Sequence, residues 1–138
     1  MIDQVTSIEQ SKRLLELGVP AEKACMVWKT TYHAFHPILR AWDAGTDTKR
    51  WQVDNIGYVP AFTVADLIIM LPAVCGYFII GLAEFGNNNK FIYYEAPVYV
   101  RGKGYEGTKN VMFTENSLVE SCVKAIEWVV SNNYTLNI

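Results

Sequence analysis

Histidine, cysteine and charge are all scarce in this chain, and each scarcity removes a class of function. Only His33 and His36 represent histidine among 138 residues. Three residues apart, they share a face if their segment is helical, and Asp43 or Asp47 would then complete a metal set. With no H-E-x-x-H, no C-x-x-C and no second histidine cluster, a zinc or iron centre is not expected. Cysteine occurs three times, at Cys25, Cys75 and Cys122. An odd count, wide spacing and apolar neighbours fit buried thiols in a reducing compartment better than a disulfide framework. Thiols in apolar surroundings have raised pKa values and are inert, and no G-x-S-x-G is present. No catalytic residue is therefore assigned, and the chain does not read as an enzyme.

Charged residues make up 19% of the chain and the formal net charge is -2. That balance argues against a general electrostatic nucleic-acid binder while leaving room for a local basic patch. The uncharged run Leu67 to Ala83 is broken by Pro72, Gly76 and Gly81. A membrane helix needs ~20 apolar residues, so the run reads as a core helix followed by a core strand. The start, Met-Ile-Asp-Gln-Val-Thr, has no basic region followed by an apolar one. No signal peptide is read there, and the cytoplasm is the expected compartment.

Apolar residues are abundant, at 51%, enough for a globular core. The length fits a single domain over 1–138, with an exposed polar loop at about 44–50. Its centre is the stretch Tyr58 to Ala83. Thr63 and Asp66 form a capping box, with Phe62 and Leu67 placed as a hydrophobic staple. Val64, Leu67, Ile68 and Leu71 fall on one helical face, and Ile69 and Met70 extend the apolar surface, predicting a helix buried nearly all round. Pro72 ends it.

Upstream, Ser7 and Gln10 cap a first helix that Gly18 terminates, and Pro20 opens a short helical turn. Alternation from Met26 to Tyr32 predicts a strand. Ile38, Leu39 and Trp42 have helical spacing, and Trp51 to Ile56 reads as a short strand. Downstream, Val74 to Glu84 is apolar on both faces, predicting an interior strand. It pairs with Phe91 to Val100 across Gly86-Asn87-Asn88-Asn89, with Pro97 marking an edge or a break. Gly102 to Gly107 reads as a loop and Val111 to Phe113 as a third strand. A long helix from about Glu115 to Ser131 carries the stripe Leu118, Val119, Cys122, Val123, Ile126, Val129 and Val130, with Glu120 and Lys124 suited to pair. These elements predict an α+β fold: two layers, an antiparallel sheet of about three to five strands, and two or three amphipathic helices on one face.

Three constellations merit weighing. Gly102-Lys103-Gly104-Tyr105-Glu106-Gly107 matches G-x-G-x-x-G, but it runs into an extended segment rather than a helix, so no dinucleotide cofactor is expected. Tyr77, Phe78, Phe91, Tyr93, Tyr94 and Tyr99 form an aromatic hairpin near Lys90, Arg101, Lys103 and Lys109. Such a face can stack unpaired bases, although strand aromatics more often serve packing. Glu95 lies among Tyr93, Tyr94 and Tyr99 and marks a candidate pocket.

The segments Pro60-Ala61-Phe62-Thr63, Leu67 and Met70-Leu71-Pro72 resemble a block found in a group of small proteins of Bacteroides-type gut bacteria and their phages or mobile elements. Thr6 to Leu14, with Leu17-Gly18 and Pro20-Ala21-Glu22, is similar to the start of that group. Leu118 to Cys122, through Trp128 to Asn133-Tyr134, is similar to its closing helix. The blocks span about half the chain in matching order, and Thr31 to Gly57 departs from the group's shorter polar connection. The resemblance implies a compact intracellular domain accessory to a mobile element; the group has no assigned activity, so no catalytic residue is carried over.

Together these readings favour a non-enzymatic interaction or accessory domain that binds a protein partner or itself. Trp28, Trp42 and Trp51, with the 35–42 segment, are the candidate surface, since large aromatics outside core periodicity anchor partners. The alternative is a small-ligand site or unrecognised enzyme built on Glu95, Tyr93, Tyr94 and Tyr99. Single-strand nucleic-acid binding by the hairpin is a third reading.

Overall fold

Ser7 opens the first helix, α1 (Ile8–Glu16), through a complete capping box. Its Oγ accepts from the Gln10 N–H at 3.1 Å, and its own N–H donates to Gln10 Oε1 at 2.9 Å. The helix ends in a Schellman motif: Gly18 has φ +94°, its N–H donates to Leu15 O, and the Val19 N–H donates to Leu14 O. The computed structural model describes residues 4–30, 37–43, 57–85 and 89–138. These fall into two units, Met1–Ile68 with Ile138, and Ile69–Asn137. Three α-helices and two antiparallel sheets among the described residues make the fold α+β.

In the first unit, Ala21–Lys23 forms one 3-10 turn after Pro20. Three short strands follow: β1 (Met26–Lys29), β2 (Ile38–Ala41) and β3 (Tyr58–Ala61). They pair antiparallel in the order β2-β1-β3, with Trp28 opposite Leu39 on one side and Val59 on the other. Helix α1 packs on β3. Leu14, Val19, Val27, Ala61 and Phe62 are buried. The helical spacing of Ile38, Leu39 and Trp42 is overturned, because so short an apolar run fits either period and pairing with β1 decides it. Pro60 is accommodated because β3 is an edge of the described sheet, where a missing N–H costs no ladder bond. The strand expected at Trp51 to Ile56, the loop at 44–50, His33, His36 and Asp47 lie outside the described residues.

Helix α2 (Val64–Met70) starts as its capping box predicts. Thr63 Oγ1 accepts from the Asp66 N–H at 3.1 Å, and the Thr63 N–H donates to Asp66 Oδ2 at 2.9 Å. That same carboxylate oxygen accepts from the Cys25 N–H at 3.0 Å, fixing the chain just before β1. Burial all round is not realised. Leu67, Met70 and Leu71 are buried, but Ile69 is 68% exposed and Ile68 is exposed too. Seven residues make only two turns, and one stripe of them reaches the core.

The second unit is a four-stranded antiparallel sheet in the order β4-β5-β6-β7, with β4 (Val74–Cys75), β5 (Phe78–Phe85), β6 (Asn89–Val100) and β7 (Gly104–Phe113). The single strand expected from Val74 to Glu84 is split by a two-residue turn at Gly76-Tyr77. Gly76 supplies its positive φ of +62°. The split strand is not buried on both faces either, since Ile79 and Leu82 are more than half exposed. The β5–β6 hairpin forms as predicted. Strand β7 begins seven residues earlier than expected, directly after the turn Arg101–Lys103. Gly102 and Gly104 there adopt φ of +85° and +77°. A bulge then sets Val98 opposite Gly107 (φ +130°) and Tyr99 opposite Tyr105, leaving Glu106 as the extra residue. The three glycines of the G-x-G-x-x-G string thus serve a turn and a bulge rather than a phosphate cradle.

Helix α3 (Leu118–Ser131) covers one face of β6 and β7. Its N-cap is Ser117, whose Oγ accepts from the Glu120 N–H. Val119, Cys122, Val123, Ile126 and Val129 are buried, as the stripe predicts. Lys124 turns to Glu127 at 3.5 Å rather than to Glu120. The helix ends on Asn133, left-handed at φ +61°, in a second Schellman motif: the Asn133 N–H donates to Val130 O and the Tyr134 N–H to Val129 O.

Candidate functional site

Strand alternation gives the second sheet two unlike faces. Even-numbered residues of β6 face α3: Ile92, Tyr94 and Ala96 are buried there, with Phe113 of β7 opposite Ile92. Trp128 of α3 is the hub of this side. Its ring lies 5.1 Å from Tyr94, 5.4 Å from Phe78, 6.1 Å from Phe113 and 5.6 Å from Tyr134. Tyr94 finishes its own hydrogen bonding by donating to Pro72 O at 2.8 Å. Burial raises the Tyr94 phenol far above its usual range, with Cys75 beside it adding to the shift.

The odd-numbered residues of β6 point the other way; Phe91 is buried on that side, and beyond it toward the β6–β7 turn the face is open. Ile79 of β5, Tyr99 of β6, and Tyr105 and Met112 of β7 are each more than half exposed. Tyr99 and Tyr105, paired across the bulge, meet edge to face at 5.9 Å. Between them and β5 lies a cavity of about 310 Å³ lined by Ile79, Ile80, Tyr93, Glu95, Pro97, Tyr105 and Thr108. Glu95 is half-buried, opposite Ile79 on β5 and Asn110 on β7. Tyr93 lies across Gly81, its partner on β5, so closely that a Cβ built at Gly81 would overlap the phenol ring. The missing side chain makes room for the ring, which lines the cavity.

The tyrosines read together in the sequence are therefore separated. Tyr93 and Glu95 line the cavity, and Tyr99 adjoins it on the same face. Tyr94 is not part of the cavity: adjacent strand residues point to opposite faces, so it sits in the core. Sequence reasoning missed Ile79, Tyr105, Thr108 and Met112. Their only signal was residue parity, which becomes usable once the strand register is known, and for Tyr105 once the bulge is known too.

Of the candidate tryptophans, Trp28 is partly buried and donates its indole N–H to Thr6 O at 2.8 Å. Trp42 is partly buried, with its backbone N–H on Cys25 O. Trp51 lies outside the described residues.

The three thiols differ in exposure. Cys75 and Cys122 are buried and Cys25 is exposed, correcting the expectation that all three are interior. Desolvation pushes each upward, Cys122 to about 12; Asp66 adds to the rise at Cys25, and Thr63 works against it. No cluster of three or more histidine, cysteine or acidic residues able to hold a metal is found among the described residues. None of their helices is long and apolar enough to cross a membrane. The basic residues do not share the aromatic face. Lys90 and Lys109 have the parity of the α3 side, and Arg101 and Lys103 sit in the hairpin turn. Comparison with protein-family models, with curated proteins and with solved structures finds no match.

Proposed function

We propose that this chain is a non-enzymatic binding domain that engages a partner polypeptide through the open face of its second sheet. One observation carries the reading: a single face leaves Ile79, Tyr99, Tyr105 and Met112 exposed together, while α3 covers the other over Ile92, Tyr94, Ala96 and Phe113. Contiguous exposed apolar surface marks interaction sites, and tyrosine offers large contact area at low entropic cost. The blocks resembling small proteins of Bacteroides-type bacteria and their mobile elements support an accessory role in that setting. The free thiols support a reducing, cytoplasmic compartment. The cavity beside Glu95 favours a second reading, in which the same face takes a small ligand.

The test is a photo-crosslinking residue placed at Tyr99 or at Tyr105, with Lys12, exposed on α1, as the control position. In cells expressing the protein in its native setting, the first two positions should give a discrete polypeptide adduct that disappears with Ile79→Lys. Adducts of equal yield from Lys12, or none from any position, would contradict the reading.

A further inference from the structure

The cavity on the open face is small, aromatic and negatively charged. At about 310 Å³ it lies at the lower limit of ligand pockets, too small for a dinucleotide and suited to one side chain or a small amine. Its lining has one charged residue, Glu95, and no basic one. Among the described residues no hydrogen bond or ion pair engages the Glu95 carboxylate. Lys109, the only basic residue of β7, is paired with Ala96, whose parity places it on the sheet's other side. Two phenol rings, Tyr93 and Tyr105, complete the lining with Pro97 and Thr108. A carboxylate set between tyrosine rings without a counter-ion attracts a cation. Tyrosine faces attract the same charge through their quadrupoles. Anionic ligands are disfavoured by the same carboxylate.

We infer that this cavity holds the ammonium group of a lysine side chain presented by the partner polypeptide. The inference rests on the open face being a binding surface and specifies what that surface reads. Ile79, Tyr99 and Met112 around the cavity would take the apolar neighbours of the lysine. Glu95 would supply the counter-charge, and Tyr93 and Tyr105 would flank the ammonium group.

NMR titration of the ¹⁵N-labelled full chain tests this with three probes: acetyl-Ala-Lys-Ala-amide, the same peptide with norleucine in place of lysine, and n-butylammonium. The lysine peptide should shift the amides of Ile79, Tyr93, Glu95 and Thr108, and bind about fivefold to tenfold more tightly than the norleucine peptide. Glu95→Gln should remove that preference, and raised salt should weaken binding to the wild type only. Tyr105→Leu, which keeps an apolar side chain at a surface position, should weaken lysine binding with the amide spectrum otherwise intact. Equal binding of lysine and norleucine peptides, or shifts elsewhere on the chain, overturns the inference. Binding of n-butylammonium as tight as that of the lysine peptide overturns the polypeptide source in favour of a free amine. If the crosslink from Tyr99 persists while lysine preference is absent, the binding face stands and the cation inference alone fails.

Discussion

Thr6 is fully buried and uses every hydrogen-bonding group it has. Its N–H donates to Phe62 O at 2.8 Å, its carbonyl accepts from the Trp28 indole at 2.8 Å, and its Oγ1 accepts from the Phe62 N–H at 2.9 Å. Oγ1 also lies 2.7 Å from the hydroxyl of buried Ser11. One threonine thus ties the segment before α1 to the chain leaving β3 and to β1. Thr6→Val keeps the shape but leaves the Phe62 N–H and the Ser11 hydroxyl buried without a partner. Chemical denaturation should show a loss of about 2 to 3 kcal/mol, most of it recovered by Thr6→Ser. Thr63→Ala, which removes only a cap, should cost about 1 kcal/mol. Equal losses for the two would contradict the hub role of Thr6. At Gly81 the expected effect is local. Gly81→Ala should move the Tyr93 ring off β5, read as a change in the Tyr93 ring-proton shifts and the Ile79 methyl shifts with the fold retained.

At the scale of elements, Trp128 does for the second sheet what Thr6 does for the first. It contacts four aromatic rings drawn from β5, β6, β7 and the segment after α3. Trp128→Ala should cost about 3 to 5 kcal/mol, a large share of the stability of a typical domain. Near-ultraviolet circular dichroism and thermal melting would register it. Elements whose signals are local were legible in the sequence. The Ser7–Gln10 and Thr63–Asp66 boxes and Gly18 all act within a few residues of themselves, and all were realised. Features set by distant partners were not legible. Ile38, Leu39 and Trp42 fit a helix until β1 claimed them, and Tyr94 sat with its neighbouring tyrosines until the register turned it inward. The cavity was half legible. Glu95 and Tyr93 stood out as a carboxylate among aromatics, whereas Thr108 reaches it through pairing with a distant strand and Tyr105 through a bulge that no local pattern announces.

For the molecule as a whole, the buried thiols and phenol shape its response to alkaline pH. Cys122 is neutral and buried, its pKa pushed up to about 12 by desolvation from an ordinary value of 9.0. The unfolded chain releases this proton near pH 9, and the folded chain holds it until about pH 12. Its contribution is complete below the unfolded value and is lost as pH rises through that window. Tyr94 and Cys75, raised in the same direction, steepen the loss. Stability should therefore fall from about pH 9 upward, with each uncoupled proton adding about 1.4 kcal/mol per pH unit. Cys122→Ala should flatten the slope, and an unchanged slope would contradict this origin.

The binding proposal stands or falls with the contrast between the two sides of the second sheet. Hydroxyl-radical footprinting of the purified protein, read by mass spectrometry, measures that contrast side chain by side chain. Met112, Tyr99 and Tyr105 should be oxidised nearly as fast as in the denatured chain, and Tyr94 and Phe113 far more slowly. Protection of Met112 and Tyr105 equal to that of Tyr94 would mean that the chain covers this face itself, and would contradict the account.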